Sequence, residues 1–151
     1  MNMSASIKVA TIGFTQTSAE HFFKRLQIAG VKKVIDVRLH NTSQLAGFAK
    51  SDDLTYFLKA IGGIEFVHAP LLAPTDTMLK AFKKEKGDWT VYENRFLGLM
   101  KERRIEEKFK PESLEGACLL CSEALPHYCH RRLVCEYLNQ QWGGQLEVKH
   151  L

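Results

Sequence analysis

A stretch of chemically reactive side chains joins a predicted strand to a predicted helix near the carboxyl end of the sequence. The apolar run ends at Cys121 and is followed by Glu123, and the helix then opens with Cys129, His130 and Arg131. In an open α/β sheet, ligands bind outside the carboxyl ends of the strands, at junctions of this kind. Nucleophilic, acid–base and anion-binding groups therefore meet in one stretch, which predicts a functional site without naming its reaction.

Cys129 is the strongest candidate for a reactive thiol. It lies near a predicted helix N-terminus, beside His130 and Arg131, and such surroundings lower the pKa of a thiol. A thiolate at this position would attack an electrophile or form a disulfide with Cys121. The alternative is that Cys129 only packs under the preceding loop, as most free cysteines do.

A metal site is a second interpretation of the same residues. Cys121, Cys129 and His130 offer three ligands, and tetrahedral zinc would need a fourth, for which His68 and Asp36 at other strand ends are candidates. The spacing is not that of a standard zinc finger. We therefore keep metal binding as an alternative and assign no metal ligand from the sequence.

The two other cysteines are predicted to be packing residues. Cys118 and Cys121 are three apart on a strand, where side chains alternate, so they point to opposite faces and cannot easily hold one ion. Cys135 lies further along the helix, away from its N-terminus.

Helical spacing separates the roles of the histidine and the two arginines. His130 shares a buried stripe with Leu133, so it is either a core histidine bonded to a carbonyl or a general acid/base. Arg132 stands four residues before Glu136 and is explained by a surface ion pair. Arg131 has no acid at that spacing and is expected to face a ligand or a buried carboxylate.

Asp36 and Arg38 form a second candidate set at the end of a predicted strand. Asp36 would orient His130, bind a substrate hydroxyl, or pair with Arg131 as a structural lock, since buried charges normally occur in pairs. Arg38, together with Arg131, would anchor an acidic or phosphorylated group.

Two further residues complete the predicted pocket. Glu123 would act as a base or accept hydrogen bonds from backbone N–H groups at the helix start. Phe14 would supply an apolar wall.

The elements that must position these residues alternate between strand and helix. This order predicts one α/β domain over 1–151, with its core at about 8–150 and a doubly wound, mainly parallel sheet of about five strands covered by helices on both faces. The predicted strands are 8–14, 33–38, 64–68, 117–121 and 145–150. The predicted helices are 18–29, 51–61, 75–86, 88–109 and 126–141. Ser18 and Ser51 are the predicted N-caps of the first two helices. Gly87 separates the third helix from the fourth, and Pro126 lies in the first turn of the last helix.

Composition limits the classes of protein that this sequence fits. The 151 residues carry a net charge of +4, with 45% apolar and 25% charged residues, which is ordinary for a globular protein. No run approaches a membrane span, so we expect no membrane partner, and the four cysteines are expected to stay reduced in a cytoplasm. Basic residues at 80–110 are interleaved with glutamates, which is typical of a solvated surface; nucleic-acid binding stays an alternative.

Three motifs resemble one known family. The motif L-C-x-E-x-x-P-x-x-C-H-R at 120–131, T-I-G at 11–13 and D-V-R at 36–38 are similar to the domain-of-unknown-function family DUF488. Phe14-Thr15 stands where the family often has His-Ser, and 39–44 lacks its usual Pro and Ser-Arg, so one cation of the usual set is missing. The resemblance implies membership of a family whose reaction is not settled.

Together these observations predict a small cytoplasmic enzyme that acts on an anionic substrate, including a phosphorylated or nucleotide-like one. The predicted catalytic residues are Cys129, His130, Glu123 and Asp36, and the predicted substrate-binding residues are Arg38, Arg131, Phe14 and Cys121. One alternative is a non-catalytic module that binds nucleic acid or protein, and another is a transition-metal protein that uses Cys121, Cys129 and His130. The sequence does not decide between enzyme and binding module, and it leaves cofactor and oligomeric state open.

Overall fold

A computed structural model describes residues 6–41, 47–84, 89–122 and 129–151 and confirms the predicted α/β fold. Five strands are present in the described residues: β1 (Ile7–Gly13), β2 (Lys33–Asp36), β3 (Glu65–His68), β4 (Ala117–Cys121) and β5 (Leu146–His150). They are parallel and form one sheet in the order β3-β2-β4-β1-β5. β4 therefore lies between β1 and β2, although it follows both in the chain.

Helices cover both faces of this sheet. They are α1 (Ala19–Ile28), α2 (Ser51–Gly62), α3 (Asp76–Lys84), α4 (Trp89–Arg103), α5 (Ile105–Lys108) and α6 (His130–Gln141). The apolar residues of α1 and α2 pack on one face, and those of α3 to α6 pack on the other, which gives two separate hydrophobic clusters. Among the described residues, none of these helices has the length and apolar character needed to cross a bilayer.

Most predicted helix ends agree with the structure, and two do not. The Ser18 side chain accepts a hydrogen bond from the backbone N–H of His21 and caps α1, as predicted. Ser51 is not a cap, because the Lys50 carbonyl already accepts the first helical bond from Leu54 at 2.7 Å. The predicted helix 88–109 is interrupted at Arg104, whose φ of 53° is left-handed, so α4 and α5 are separate. The predicted break at Gly87 and start at Pro126 lie outside the described residues.

The parallel register brings the ends of three strands to one edge. Asp36 of β2 pairs with Leu120 of β4, and Gly13 of β1 pairs with Cys121. Along β4, Cys118 belongs to the cluster under α1 and α2, whereas Cys121 belongs to the cluster under α4 and α6. The prediction that the two thiols point to opposite faces is therefore confirmed, and Cys118 is fully buried.

Candidate functional site

A cavity of about 360 Å³ opens at the carboxyl ends of β2 and β4. This volume lies within the range of small-molecule sites, roughly 300–1,000 Å³. The cavity is lined by Arg38, Leu39, His40, Pro74, Leu79, Phe82, Trp89, Tyr92, Cys121, Ser122, Cys129 and His130. Four of the predicted site residues therefore share one cavity.

Two thiols and an imidazole form the floor of this cavity. The ligand atoms of Cys121, Cys129 and His130 all lie within 4.8 Å of one another, and all three residues are buried. Cys121 Sγ is 3.5 Å from His130 Nδ1, and the side chains of Cys121 and Cys129 are hydrogen-bonded to each other. We call these three residues the Cys–Cys–His centre.

The orientation of the His130 ring is set by a backbone carbonyl. His130 Nε2 lies 2.6 Å from the Val37 carbonyl oxygen, which only accepts hydrogen bonds, so Nε2 carries a proton. In the neutral ring, Nδ1 is then left with a lone pair, and Cys121 Sγ lies beside the ring, 3.5 Å from Nδ1 and 3.9 Å from Nε2. His130 thus forms a hydrogen bond with a backbone carbonyl, as one of the two sequence interpretations required, and its second nitrogen lies within 3.5 Å of a thiol.

The expected lowering of the Cys129 pKa is wrong. Cys129 is only 2% exposed, and burial raises its pKa well above the ordinary value. The hydrogen bond and charge of Cys121 raise it further, while His130 and Arg131 lower it by less. Desolvation of a thiolate outweighs the nearby cations here, because the side chain lies inside the apolar cluster beneath α6.

Asp36 is paired with Arg38, not with Arg131 or His130. Arg38 Nε and Nη2 donate to the two carboxylate oxygens of Asp36 at 2.9 and 2.8 Å, and the Arg38 backbone N–H donates at 3.0 Å. Asn41 donates a further bond at 3.2 Å. Asp36 is completely buried and lies behind Arg38, so it reaches the cavity only through the arginine.

Arg38 is held from two further directions. Its guanidinium lies 5.0 Å from the centroid of the Phe14 ring, a cation–π distance. Its carbonyl oxygen lies 2.8 Å from His68 Nε2. Phe14 is buried beneath Arg38 and is not among the residues that line the cavity, so it supports the arginine where an apolar wall was expected.

The remaining predicted residues lie apart from the cavity wall or outside the described part of the chain. Arg131 is completely buried, does not line the cavity, and places Nη1 at 3.7 Å from Cys129 Sγ. Arg132 forms the expected ion pair with Glu136 at 2.8 Å. Glu123 lies outside the described residues, and its predicted role as a base stays a prediction.

Sequence reasoning missed the aromatic wall of the cavity. Trp89 and Tyr92 stack with ring centroids 5.0 Å apart, and Phe82 packs against Tyr92 at 5.1 Å. Burial, and then the nearby Cys121 and Cys129, raise the pKa of Tyr92, so its hydroxyl stays protonated. The sequence signal for this wall is the helical spacing of aromatic residues on α4. The sequence analysis instead weighed the charged residues of this region.

The rim of the cavity carries a histidine beside a carboxylate. His40 Nε2 lies 3.5 Å from Asp76 Oδ1 at the start of α3, and both side chains are more than half exposed. The pKa of Asp76 is lowered, first by its hydrogen bond to Lys80 and then by His40. This exposed group adds mixed charge to the entrance of the cavity.

Comparison with known proteins gives one match. The sequence model described as "Domain of unknown function DUF488" matches residues 18–138, a range that includes Asp36, Arg38 and the whole Cys–Cys–His centre. No curated protein and no solved structure matches the chain.

Proposed function

The chain belongs to the DUF488 family, domains of unknown function, and from that premise we propose that it is a small enzyme acting on an anionic substrate. One observation supports this proposal above the others. A guanidinium, two thiols and an imidazole face the same cavity, which has the volume of a small-molecule site.

Arg38 is the proposed anchor for the anionic group of the substrate. Asp36 occupies Nε and Nη2 and fixes the plane of the guanidinium, while Nη1 has no hydrogen-bond partner among the described residues. A carboxylate or phosphate oxygen in the cavity would accept a bond from Nη1. Buried Arg131, behind the Cys–Cys–His centre, adds positive charge without touching the substrate.

The aromatic wall indicates what the rest of the substrate looks like. Trp89 and Tyr92 present large apolar faces, and Tyr92 adds a protonated hydroxyl that has no hydrogen-bond partner among the described residues. A planar or apolar body bearing one acidic group fits these walls, which includes nucleotide-like molecules.

The Cys–Cys–His centre supplies the proposed reactive groups. Nδ1 of His130 is placed to exchange a proton with the Cys121 thiol, and the same atoms are also suited to hold a metal ion. Either chemistry places the reacting atom on the floor of the cavity. Asp36 is a positioning residue in this proposal, because it acts through Arg38, and we expect reduced thiols in a cytoplasm.

Ligand binding is the first test of the proposal. Trp89 lies in the cavity wall, so its fluorescence reports occupancy in a Trp142→Phe background, which leaves one tryptophan. Carboxylates, phosphate monoesters and nucleotides would be titrated against the protein. We expect Arg38→Lys to weaken a hit by about 10-fold, because lysine cannot keep the two-bond geometry. Arg132→Gln, which removes a charge outside the cavity, should bind as the parent does.

Turnover of the bound compound is the second test. We expect Cys121→Ser or His130→Asn to reduce turnover by about 100-fold or more, the usual contribution of an acid–base group. Cys135→Ser, a buried thiol outside the centre, should keep activity. A compound that binds and is never converted would make the protein a binding module, and a screen without any Arg38-dependent ligand would overturn the proposal.

A further inference from the structure

The spacing of the Cys–Cys–His centre matches that of a tetrahedral metal site. Zinc bonds of about 2.3 Å to sulfur and 2.0–2.1 Å to nitrogen put neighbouring sulfur and nitrogen ligands about 3.6 Å apart. Cys121 Sγ and His130 Nδ1 are 3.5 Å apart, and no pair of ligand atoms exceeds 4.8 Å. The three ligand atoms are therefore close enough to share one ion once the side chains turn toward it.

The hydrogen bond on the far side of the imidazole supports the same interpretation. Metal-bound histidines usually donate their other N–H to a carbonyl or carboxylate, which fixes the ring and leaves the ligating nitrogen unprotonated. His130 Nε2 is bonded to the Val37 carbonyl at 2.6 Å, so Nδ1 is the nitrogen left to bind an ion, and it lies 3.5 Å from Cys121 Sγ and within 4.8 Å of Cys129 Sγ.

Two regular elements position the three donors. Cys121 is the last residue of β4, in the middle of the sheet, His130 is the first residue of α6, and Cys129 is the N-cap of that helix. Phe96 packs against the imidazole at 5.4 Å between ring centroids. Ligands on a strand end and a helix start need little reorganisation when an ion arrives.

We propose that Cys121, Cys129 and His130 bind one zinc ion through both sulfurs and Nδ1, with the fourth position open to the cavity. Two thiolates neutralise the ion as it displaces both thiol protons, and sulfur–nitrogen donors select zinc over magnesium or calcium. The inference rests on the proposed function only for the fourth ligand, which is water or an oxygen of the anionic substrate beside Arg38.

Neither of the sequence candidates for a fourth protein ligand, Asp36 and His68, belongs to the group of ligand atoms that lie within 4.8 Å of one another. The oxygens of Asp36 also accept bonds from Arg38 and Asn41. Neither residue lines the cavity. Three protein ligands plus an open position are typical of a catalytic site, in contrast to the closed set of a structural site.

Metal titration of the reduced, chelator-treated protein tests the site. We expect one Co²⁺ per chain, with the near-ultraviolet charge-transfer band of thiolate ligation, and displacement of Co²⁺ by one Zn²⁺. Cys121→Ser, Cys129→Ser and His130→Asn should each weaken binding by more than about 100-fold. Cys135→Ser, a buried thiol on the same helix, should bind as the wild type does.

A measurement on the wild-type chain keeps the test decisive if a variant fails to fold. One equivalent of Zn²⁺ should slow alkylation of Cys121 and Cys129 by at least about 10-fold and leave Cys118 and Cys135 unchanged. Zinc that protects no thiol, or a Co²⁺ complex without sulfur ligation, would overturn the site. Anion binding by a protein that takes no zinc would overturn only the metal inference, and zinc binding without any anionic ligand would overturn only the proposed function.

Discussion

Asp36 and Arg38 form a buried ion pair between two residues of the same strand end. Three hydrogen bonds of 2.8 to 3.0 Å join the carboxylate to the guanidinium and to the Arg38 backbone N–H. Asp36 is 0% and Arg38 4% exposed, yet the arginine still borders the cavity. The pair therefore presents a charged group with a fixed orientation at a site that is otherwise largely apolar.

Removing the charge of Asp36 should destabilise the fold. We expect Asp36→Asn to lower the free energy of unfolding by about 3 kcal/mol, because Arg38 is left as an uncompensated buried charge. Urea denaturation measures the change. Glu136→Gln, which breaks the more exposed pair with Arg132, should cost less than about 1 kcal/mol. Equal small losses in both variants would mean that Arg38 is solvated in the native state.

The two buried tyrosines should respond differently to loss of the hydroxyl. Tyr137 donates a hydrogen bond to Glu106 at 2.8 Å, so Tyr137→Phe should cost about 1 kcal/mol of unfolding free energy. Tyr92 lines the cavity, and its hydroxyl has no such partner among the described residues. Tyr92→Phe should therefore change the free energy of unfolding by less than about 0.5 kcal/mol. Denaturation of the two variants under identical conditions makes the comparison. A larger loss for Tyr92→Phe would place its hydroxyl in a structural hydrogen bond.

Alkaline pH should weaken the fold through its buried thiols. Burial, and then Glu136, raise the pKa of Cys135 from 9.0 to about 12. Because the pKa of Cys135 is higher in the folded chain than in the unfolded chain, the protonated thiol makes its full contribution to stability below about pH 9. That contribution is lost as the pH rises from 9 to 12. Between pH 8 and pH 10 the wild type should lose about 1.4 kcal/mol more than Cys135→Ala. Parallel pH profiles for the two proteins would show that this thiol ionises without unfolding.

The alkylation rates of the four thiols should follow their solvent access more than their pKa values. Cys121 and Cys129 border the cavity, whereas Cys118 is fully buried within β4. In the metal-free protein at pH 8, Cys121 and Cys129 should therefore be alkylated faster than Cys118. Both should still react more slowly than in the unfolded chain, because burial raises the Cys129 pKa. Peptide mapping after brief labelling reports all four thiols. Labelling of Cys129 at the unfolded rate would indicate an activated thiolate and restore the interpretation based on the helix N-terminus.

Local periodicity was enough to predict the fold and the placement of several residues of the candidate site. Alternation along β4 correctly separated Cys118 from Cys121, and the helical stripe correctly buried His130 on α6. The ion pair of Arg132 with Glu136 followed from four-residue spacing. These features depend on neighbours in the chain, and parallel strands carry their carboxyl ends to one edge, so the sequence determined at which edge of the sheet the candidate residues lie.

Tertiary packing alone decided which groups meet at that edge and in what charge state. Asp36 pairs with Arg38 because the guanidinium folds back over its own strand end, a geometry that residue types do not specify. The Cys129 pKa rises because the side chain is enclosed by the cluster beneath α6, and desolvation depends on that whole enclosure. Tyr92 reaches the cavity because α4 packs beside α6. The sequence by itself therefore determined the elements and the position of the site, while long-range packing decided its ion pair, its thiol chemistry and its aromatic wall.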